Sequence, residues 1–230
     1  MRGTSDFSAI ILAAGKGLRM GGDIKKQFLL IHDKPLIYYT IKAFEESSVS
    51  EIILVCPQDD LDYVKTEITD HYGFKKITAT VAGGDERYLS VYEGLKKVNK
   101  ANVLIHDGAR CCITSDVITD MMDAVITYKA AVAAVPSTDT VKLADDDGFV
   151  SYTPRRDMVW SMQTPQGFNS ALIKEAYDRL FSSGDTERIT DDALVLERAM
   201  PEQKIKLIKS SYDNIKITTK KDLLLAERLL

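Results

Sequence analysis

Short apolar, β-prone runs alternate along this chain with longer segments of helical period, which is the pattern of a parallel sheet covered by helices. Phe7 to Leu12, Ile52 to Cys56, Ile77 to Val81, Val103 to His106, Ala131 to Val135 and a late Ile215 to Ile217 read as strands. Helices fill the gaps. Pro35 suits a first helical position, and Leu36, Tyr39, Thr40, Ala43 and Phe44 then recur at the spacing of one buried face. Thr219 and Asp222 have the capping-box spacing that opens a final helix. The expected fold class is therefore α/β, a doubly wound and mostly parallel Rossmann-like sheet.

Residues 138–160 break the alternation. Thr140 to Leu143 and Phe149 to Thr153 are β-prone runs separated by Ala144 to Gly148, and an Asp-Gly turn between such runs is a strong hairpin signal. A two-stranded hairpin is only marginally stable alone. An extension of this length packs on another subunit or folds back on the core, and the organisation favoured is one α/β domain over 1–137 and 161–230, with 138–160 as a protruding β-hairpin arm that makes a homodimer.

Lys plus Arg number 30 against 34 Asp plus Glu, a net charge of -4, so no global basic field attracts nucleic acid or an anionic membrane. Any anion site must be local. No apolar stretch approaches the roughly 20 residues of a membrane span, and Met1 to Asp6 lacks the features of a signal peptide, so the expected location is the cytoplasm. Cys56, Cys111 and Cys112 have no C-x-x-C spacing, which argues against a disulfide framework and a zinc site. His32, His71 and His106 are scattered without metal-ligand spacing and read as structural or surface histidines.

Chemistry is concentrated at a few turns. The run Ala13-Ala14-Gly15-Lys16-Gly17-Leu18-Arg19-Met20 follows the first strand, and Lys26 lies shortly beyond it. Small residues there let backbone N–H groups approach an anion, while Arg19 and Lys26 supply the positive charge a triphosphate needs. The spacing is neither that of a Walker loop nor that of a dinucleotide fingerprint. A glycine pair that merely punctuates a strand end is an equal reading of the loop taken alone.

Asp107 closes an apolar strand at the end where ligands bind in open α/β sheets, and a carboxylate there can hold magnesium beside substrate phosphates. The plainer reading is a turn cap paired with Arg110. Gly83-Gly84-Asp85-Glu86-Arg87 with Ser90 is a second glycine turn, able to admit a flat base or to serve only as an acidic helix start. Gln163-Thr164-Pro165-Gln166, Thr190-Asp191-Asp192-Ala193 and Asp213-Asn214-Ile215-Lys216 place polar groups beside element ends. Thr190 reads first as a helix N-cap, and Lys216 as an outward position of an alternating strand. Arg155 and Arg156 at the end of the hairpin read as a solvated pair.

In this order and spacing the blocks resemble the 2-C-methyl-D-erythritol 4-phosphate cytidylyltransferases of the non-mevalonate isoprenoid pathway, over nearly the whole chain. The resemblance rests on Ala13 to Gly15 through Gly21, Lys26-Gln27-Phe28, Gly83-Gly84 with Arg87 and Ser90, His106-Asp107 with Ala109-Arg110, Asp139-Thr140, Gln163 to Gln166, Thr190 to Ala193, and Asn214 to Thr218. It implies a nucleotidyltransferase fold and attack of the methylerythritol phosphate on the α-phosphorus of CTP, with pyrophosphate leaving and no covalent enzyme intermediate. Arg19, Lys26, Lys216 and Arg156 match catalytic positions, and Asp107 matches the acid associated with Mg2+ or another divalent cation. Ala13, Ala14, Gly15, Gly17, Gly84, Asp85, Arg87 and Ser90 match the CTP-binding side. Arg110, Thr140, Arg156, Thr164, Thr190, Asp213 and Lys216 match the side that holds the sugar phosphate. The arm of such enzymes crosses to a partner subunit, which implies that Arg156 serves the neighbouring site. Lys25, Gly108 and Cys111-Cys112 depart from the pattern at two loops, where proline, alanine, and proline with an apolar residue are usual.

A cytidylyltransferase for ribitol 5-phosphate shares several blocks and is the nearest rival reading; Ala13-Ala14-Gly15 and Thr190-Asp191-Asp192 lean toward the methylerythritol branch. Sugar-1-phosphate and molybdopterin nucleotidylyltransferases are more distant. A non-catalytic nucleotide-binding homologue is opposed by the joint presence of Arg19, Lys26, Asp107 and Lys216.

Overall fold

The computed structural model describes residues 6–15 and 25–230. Arg19 and Gly17, named above from the sequence, lie outside the described residues. Strand β1 spans Phe7–Leu12, the short pair β2 (Leu30–Ile31) and β3 (Lys34–Pro35) follows, and helix α1 runs Leu36–Glu46. Then come β4 (Glu51–Cys56), α2 (Leu61–Tyr63) continuing as a π-helical stretch over Val64–Asp70, β5 (Ile77–Ala82), α3 (Arg87–Leu95), β6 (Asn102–Asp107), α4 (Ser115–Tyr128) and β7 (Ala130–Pro136). The hairpin β8 (Leu143–Ala144) and β9 (Val150–Tyr152) precedes β10 (Trp160–Asn169), α5 (Ser170–Ser183), α6 (Asp192–Ala199), β11 (Lys206–Lys209) and α7 (Lys220–Leu229).

Seven strands form one sheet in the order β11-β7-β10-β6-β1-β4-β5. β1 is parallel to β4 and β6, β4 to β5, and β11 to β7; β10 alone runs against both of its neighbours. The period of two along a strand divides each central strand between two cores. Phe7, Ala9 and Ile11 of β1 join Ile37, Ile41 and Phe44 of α1 and the apolar face of α4 on one side. Ile10 faces the other way, with Val91 and Leu95 of α3 and Ile173, Ala176 and Tyr177 of α5. Helices thus cover both faces, as a doubly wound sheet requires. The chain leaves β1 toward β4 on one side and places β6 on the other, so the crevice for ligands opens at the carboxyl ends of β1 and β6.

Five of the expected strands are present within a residue of their expected limits, two expectations need correction here, and two strands of the large sheet were not expected. Ile215–Ile217 is not a strand: the Ile215 N–H donates to Asp213 O at 2.7 Å and the Ile217 N–H to Ala109 O at 2.8 Å, so these donors are taken up by loop contacts instead of a ladder. β10 and β11 flank β7 toward that edge of the sheet, and neither carries an alternating pattern strong enough to be read from sequence. Pro35 is the N-cap of α1, not its first helical residue, and Leu36, Ile37, Thr40, Ile41 and Phe44 are the residues the helix buries.

The hairpin forms at 143–152, and Gly148 at φ +85° supplies the left-handed turn residue. Phe149, Val150 and Tyr152 on it are exposed. The capping box of the last helix is present, with Thr219 accepting from the Asp222 N–H and the Asp222 carboxylate accepting from the Thr219 N–H at 2.7 Å. No helix among the described residues is long and apolar enough to cross a membrane.

Candidate active site

The carboxyl ends of β1, β5 and β6 open into one cavity of about 210 Å³. Ala13, Ala14 and Gly15 line it directly after β1, Gly84, Asp85 and Glu86 after β5, and Asp107 at the end of β6. Arg87 and Ser90 enter from the first turn of α3, Lys26 and Gln27 from a short 3-10 turn, and Lys216 from the loop before α7. The two small-residue turns touch each other. A Cβ at Gly83 would stand 2.5 Å from the Ala14 Cβ and 2.7 Å from Ser90 Oγ, so only glycine lets the two backbones approach this closely. The Ser90 hydroxyl donates back to Gly84 O at 3.2 Å, which closes the turn.

Asp107 is the electrostatic centre. Its Oδ2 lies 2.8 Å from Lys216 Nζ and 3.8 Å from Arg110 Nε, and its Oδ1 lies 3.4 Å from Arg87 Nε. Burial by itself would raise this carboxyl, but Arg87, Lys216 and Arg110 outweigh it and hold the group well below the usual carboxylate range. Asp107 therefore pairs with Arg110, as the plainer reading has it, and also faces the cavity. Burial works to lower the Arg87 guanidinium, and the carboxylates of Asp192 and Asp107 overcome it and push the group above its ordinary value.

Lys216 is held in place although its segment is no strand. Asn214 Nδ2 donates to Thr164 O at 2.8 Å and to Gln163 Oε1 at 3.0 Å, and Gln163 Nε2 donates to Ser211 O at 3.0 Å. Arg110 Nη1 donates to Asn214 O at 2.7 Å. The loop is thereby fixed to β10 and to the turn after β6, and its lysine projects over Asp107. Arg110 Nε is buried without a hydrogen-bond partner among the described residues, and burial lowers the guanidinium below its ordinary value. An anionic oxygen is the complement of such a donor.

His106 is not a surface residue. Its ring is fully buried, with Nε2 3.2 Å from Arg110 O and Nδ1 3.0 Å from Thr164 Oγ1. A carbonyl only accepts, so Nε2 carries the proton, and the Thr164 hydroxyl donates to Nδ1 while accepting the Asp107 N–H at 3.0 Å. Burial pushes the imidazole down to about 4, which keeps it neutral.

Thr164 thus lies behind the cavity wall and Arg110 beside Asp107. Thr140, Arg156, Thr190 and Asp213 are exposed and line no part of the cavity of their own chain. Thr190 is also not a helix N-cap: Asp191 takes that position, its side chain accepting the Leu194 N–H at 3.0 Å. Gln27, Glu86 and Ala109 also line the cavity; each sits inside a sequence block quoted above, beside Lys26, Arg87 and Asp107, but is given no role of its own there.

The family model described as 2-C-methyl-D-erythritol 4-phosphate cytidylyltransferase matches residues 7–230. The chain belongs to that family. It is a nucleotidyltransferase, and its substrates in that capacity are CTP and a phosphorylated sugar alcohol. A 2-C-methyl-D-erythritol 4-phosphate cytidylyltransferase of Lachnoclostridium phytofermentans is 46% identical over 224 residues, 97% of this chain and 95% of that one. The crystal structure of the 4-diphosphocytidyl-2C-methyl-D-erythritol synthase from Anaerococcus prevotii superposes with a TM-score of 0.83 at 34% identity, covering 96% of each chain. That of the cytidylyltransferase from Thermus thermophilus gives 0.75 at 26% identity, covering 96% of this chain and 97% of the other.

Among the described residues no group of three or more His, Cys, Asp or Glu side chains converges as a metal cage. Asp107 offers one ionised carboxylate at the cavity wall. That donor set fits a hard divalent cation that takes its remaining ligands from substrate phosphates and water.

Proposed function

We propose that this chain transfers CMP from CTP to 2-C-methyl-D-erythritol 4-phosphate with release of pyrophosphate, using the cavity at the ends of β1, β5 and β6. The observation that carries this assignment of the site is the convergence of Ala13 to Gly15, Lys26, Arg87, Ser90, Asp107 and Lys216 on that one cavity. Nucleotidyl transfer offers little covalent chemistry to a protein, so positioning and charge stabilisation supply most of the catalysis. The backbone N–H groups of Ala14 and Gly15 and the turn Gly84–Asp85 receive the nucleotide, with Ser90 bracing that turn, while Ala13 lines the cavity with its own N–H donated to Val55 O at 2.7 Å. Lys26 would serve the phosphates, a role the resemblance gives to Arg19 as well, and Lys216, at the cavity wall beside Asp107, would stabilise the charge that grows on the equatorial oxygens of the α-phosphorus. Arg110, whose buried Nε faces Asp107 at 3.8 Å without a hydrogen bond among the described residues, takes the acceptor's phosphate beside Thr164. Asp107 would hold the divalent cation, magnesium by preference, whose chemistry is to neutralise the phosphates and stabilise departing pyrophosphate.

The arm at 138–160 packs on a second copy in this reading. Leu143, Phe149, Val150, Tyr152 and Met158 are exposed apolar side chains around the hairpin, an arrangement that a partner surface would cover. Thr140 and Arg156 lie at the two ends of that arm, outside the cavity of their own chain, and would complete the neighbour's site. Thr190 and Asp213 border the acceptor side. The enzyme would work in the cytoplasm.

The test is magnesium-dependent pyrophosphate release with CTP and one acceptor at a time. Release with 2-C-methyl-D-erythritol 4-phosphate and none with ribitol 5-phosphate is the expected result. Release with ribitol 5-phosphate alone would move the acceptor assignment, and silence with both would overturn the activity.

A further inference from the structure

Behind Arg87 the cavity wall backs onto a carboxylate with no exposure at all. Asp192 is the first residue of α6. A buried charge that lacks partners is costly by several kcal/mol, and both oxygens of this one are engaged. Arg87 Nη2 donates to Oδ2 at 2.9 Å, and the Tyr177 hydroxyl donates to Oδ1 at 2.8 Å.

The support beneath Asp192 is rigid. Gln166 of β10 accepts the N–H groups of Asp192 and Ala193 at 3.0 and 2.9 Å, and its Nε2 donates to Asp191 Oδ2 at 2.8 Å. Tyr177 is fully buried in the core between α5 and the sheet. Arg87, by contrast, stands at the start of α3 with its side chain 25% exposed. It has two acids to choose between, and the contact to Asp192 at 2.9 Å is shorter than the one to Asp107 at 3.4 Å. A guanidinium with a single carboxylate neighbour closes on it as a bidentate fork. Here it is divided between two, with Nη2 on Asp192 and Nε toward Asp107.

We propose that Asp192 is a positioning residue that tethers Arg87 across the mouth of the cavity, so that the guanidinium is preset for the nucleotide phosphates and Asp107 stays open toward Lys216 and the substrate. Tyr177 and Gln166 hold the tether. Neither Asp192 nor Tyr177 lines the cavity, so both act through Arg87. The inference rests on the cavity being the CTP site.

A double-mutant cycle tests it, with Asp192→Asn, Arg87→Ala, the two combined, and Tyr177→Phe, each assayed for CTP-dependent pyrophosphate release and for CTP binding by calorimetry. Asp192→Asn should raise the KM for CTP about tenfold while the acceptor KM stays within about twofold, and it should add nothing in the Arg87→Ala background. Tyr177→Phe should move the same parameter by about threefold. Equal losses from Asp192→Asn with and without Arg87 would overturn the tether, as would unchanged CTP affinity in Asp192→Asn. If that variant does not fold, the cycle of Tyr177→Phe with Arg87→Ala decides by the same criterion. Inactivity of the unaltered protein would instead remove the reading on which the tether rests.

Discussion

The Thr164 hydroxyl accepts the backbone N–H of Asp107 at 3.0 Å and so ties the one reversed strand of the sheet to the acid-bearing end of β6. The same oxygen donates to His106 Nδ1, and His106 Nε2–H donates to Arg110 O. Two strands and the following turn are therefore held by three bonds converging around a single neutral imidazole. The lock fixes the backbone at Asp107 and at Arg110, one of the three cations that face it.

The lock has a pH signature. Burial pushes His106 down to about 4 in the folded state, from an ordinary value near 6.5. Its contribution to stability is complete above about pH 6.5 and is lost as pH falls toward about 4, because over that window only the unfolded chain gains the proton. The loss amounts to roughly 3 kcal/mol by that linkage. Urea unfolding of the apo protein in chelator, stepped from pH 7.5 to 4, should show a steeper decline than in His106→Gln. Parallel curves would contradict the assignment.

Lys216 is 40% exposed at its side chain, so its removal should cost activity and not the fold. Lys216→Ala is expected to lower kcat by about a hundredfold, in line with deletion of one charge-stabilising group. Thermal unfolding should remain within a few degrees of the parent. Full activity in this variant would take Lys216 out of the chemistry.

Gly83→Ala places a methyl group 2.5 Å from Ala14 Cβ, which has no rotatable end, and 2.7 Å from Ser90 Oγ, which can turn away only by giving up its bond to Gly84 O. The expected cost is roughly 1–3 kcal/mol together with weaker CTP binding, as the two nucleotide-facing turns are forced apart. Denaturant midpoints and CTP titration read the two effects separately. A variant of parental stability would show that the turns separate freely.

Phe149 and Met158 are each 72% exposed. Under the dimer reading, Phe149→Ser with Met158→Ser should shift the protein to a monomer in sedimentation velocity and depress turnover, because Thr140 and Arg156 no longer reach a neighbour. An unaltered dimer after both changes would place the interface elsewhere.

The patterns legible in the sequence were the local ones. Apolar runs in Phe7–Leu12 and Glu51–Cys56, the Asp-Gly turn of the hairpin and the Thr219–Asp222 capping box each depend on neighbours a few residues away, and each is present. That the small-residue turn after β1, the glycine turn after β5 and Asp107 at the end of β6 meet at one crevice was also legible, since a parallel sheet brings its carboxyl ends together whatever the details. Ile215–Ile217 misled because its apolar alternation is that of a strand, while its N–H groups find Asp213 and Ala109 first. Thr190 misled because Asp191 beside it caps as well and alone has the position to do so.

Only the tertiary structure decided which distant groups share a charge. Asp192 meets Arg87, Lys216 meets Asp107, and His106 meets Thr164 across long stretches of intervening chain. Hydropathy carries no record of such pairs, because a buried acid looks the same in sequence as a solvated one until its partner is in place. The sequence by itself determined the layers and the turns; the reversal of β10 and the folding back of the 210–219 loop determined which side chains those turns would face.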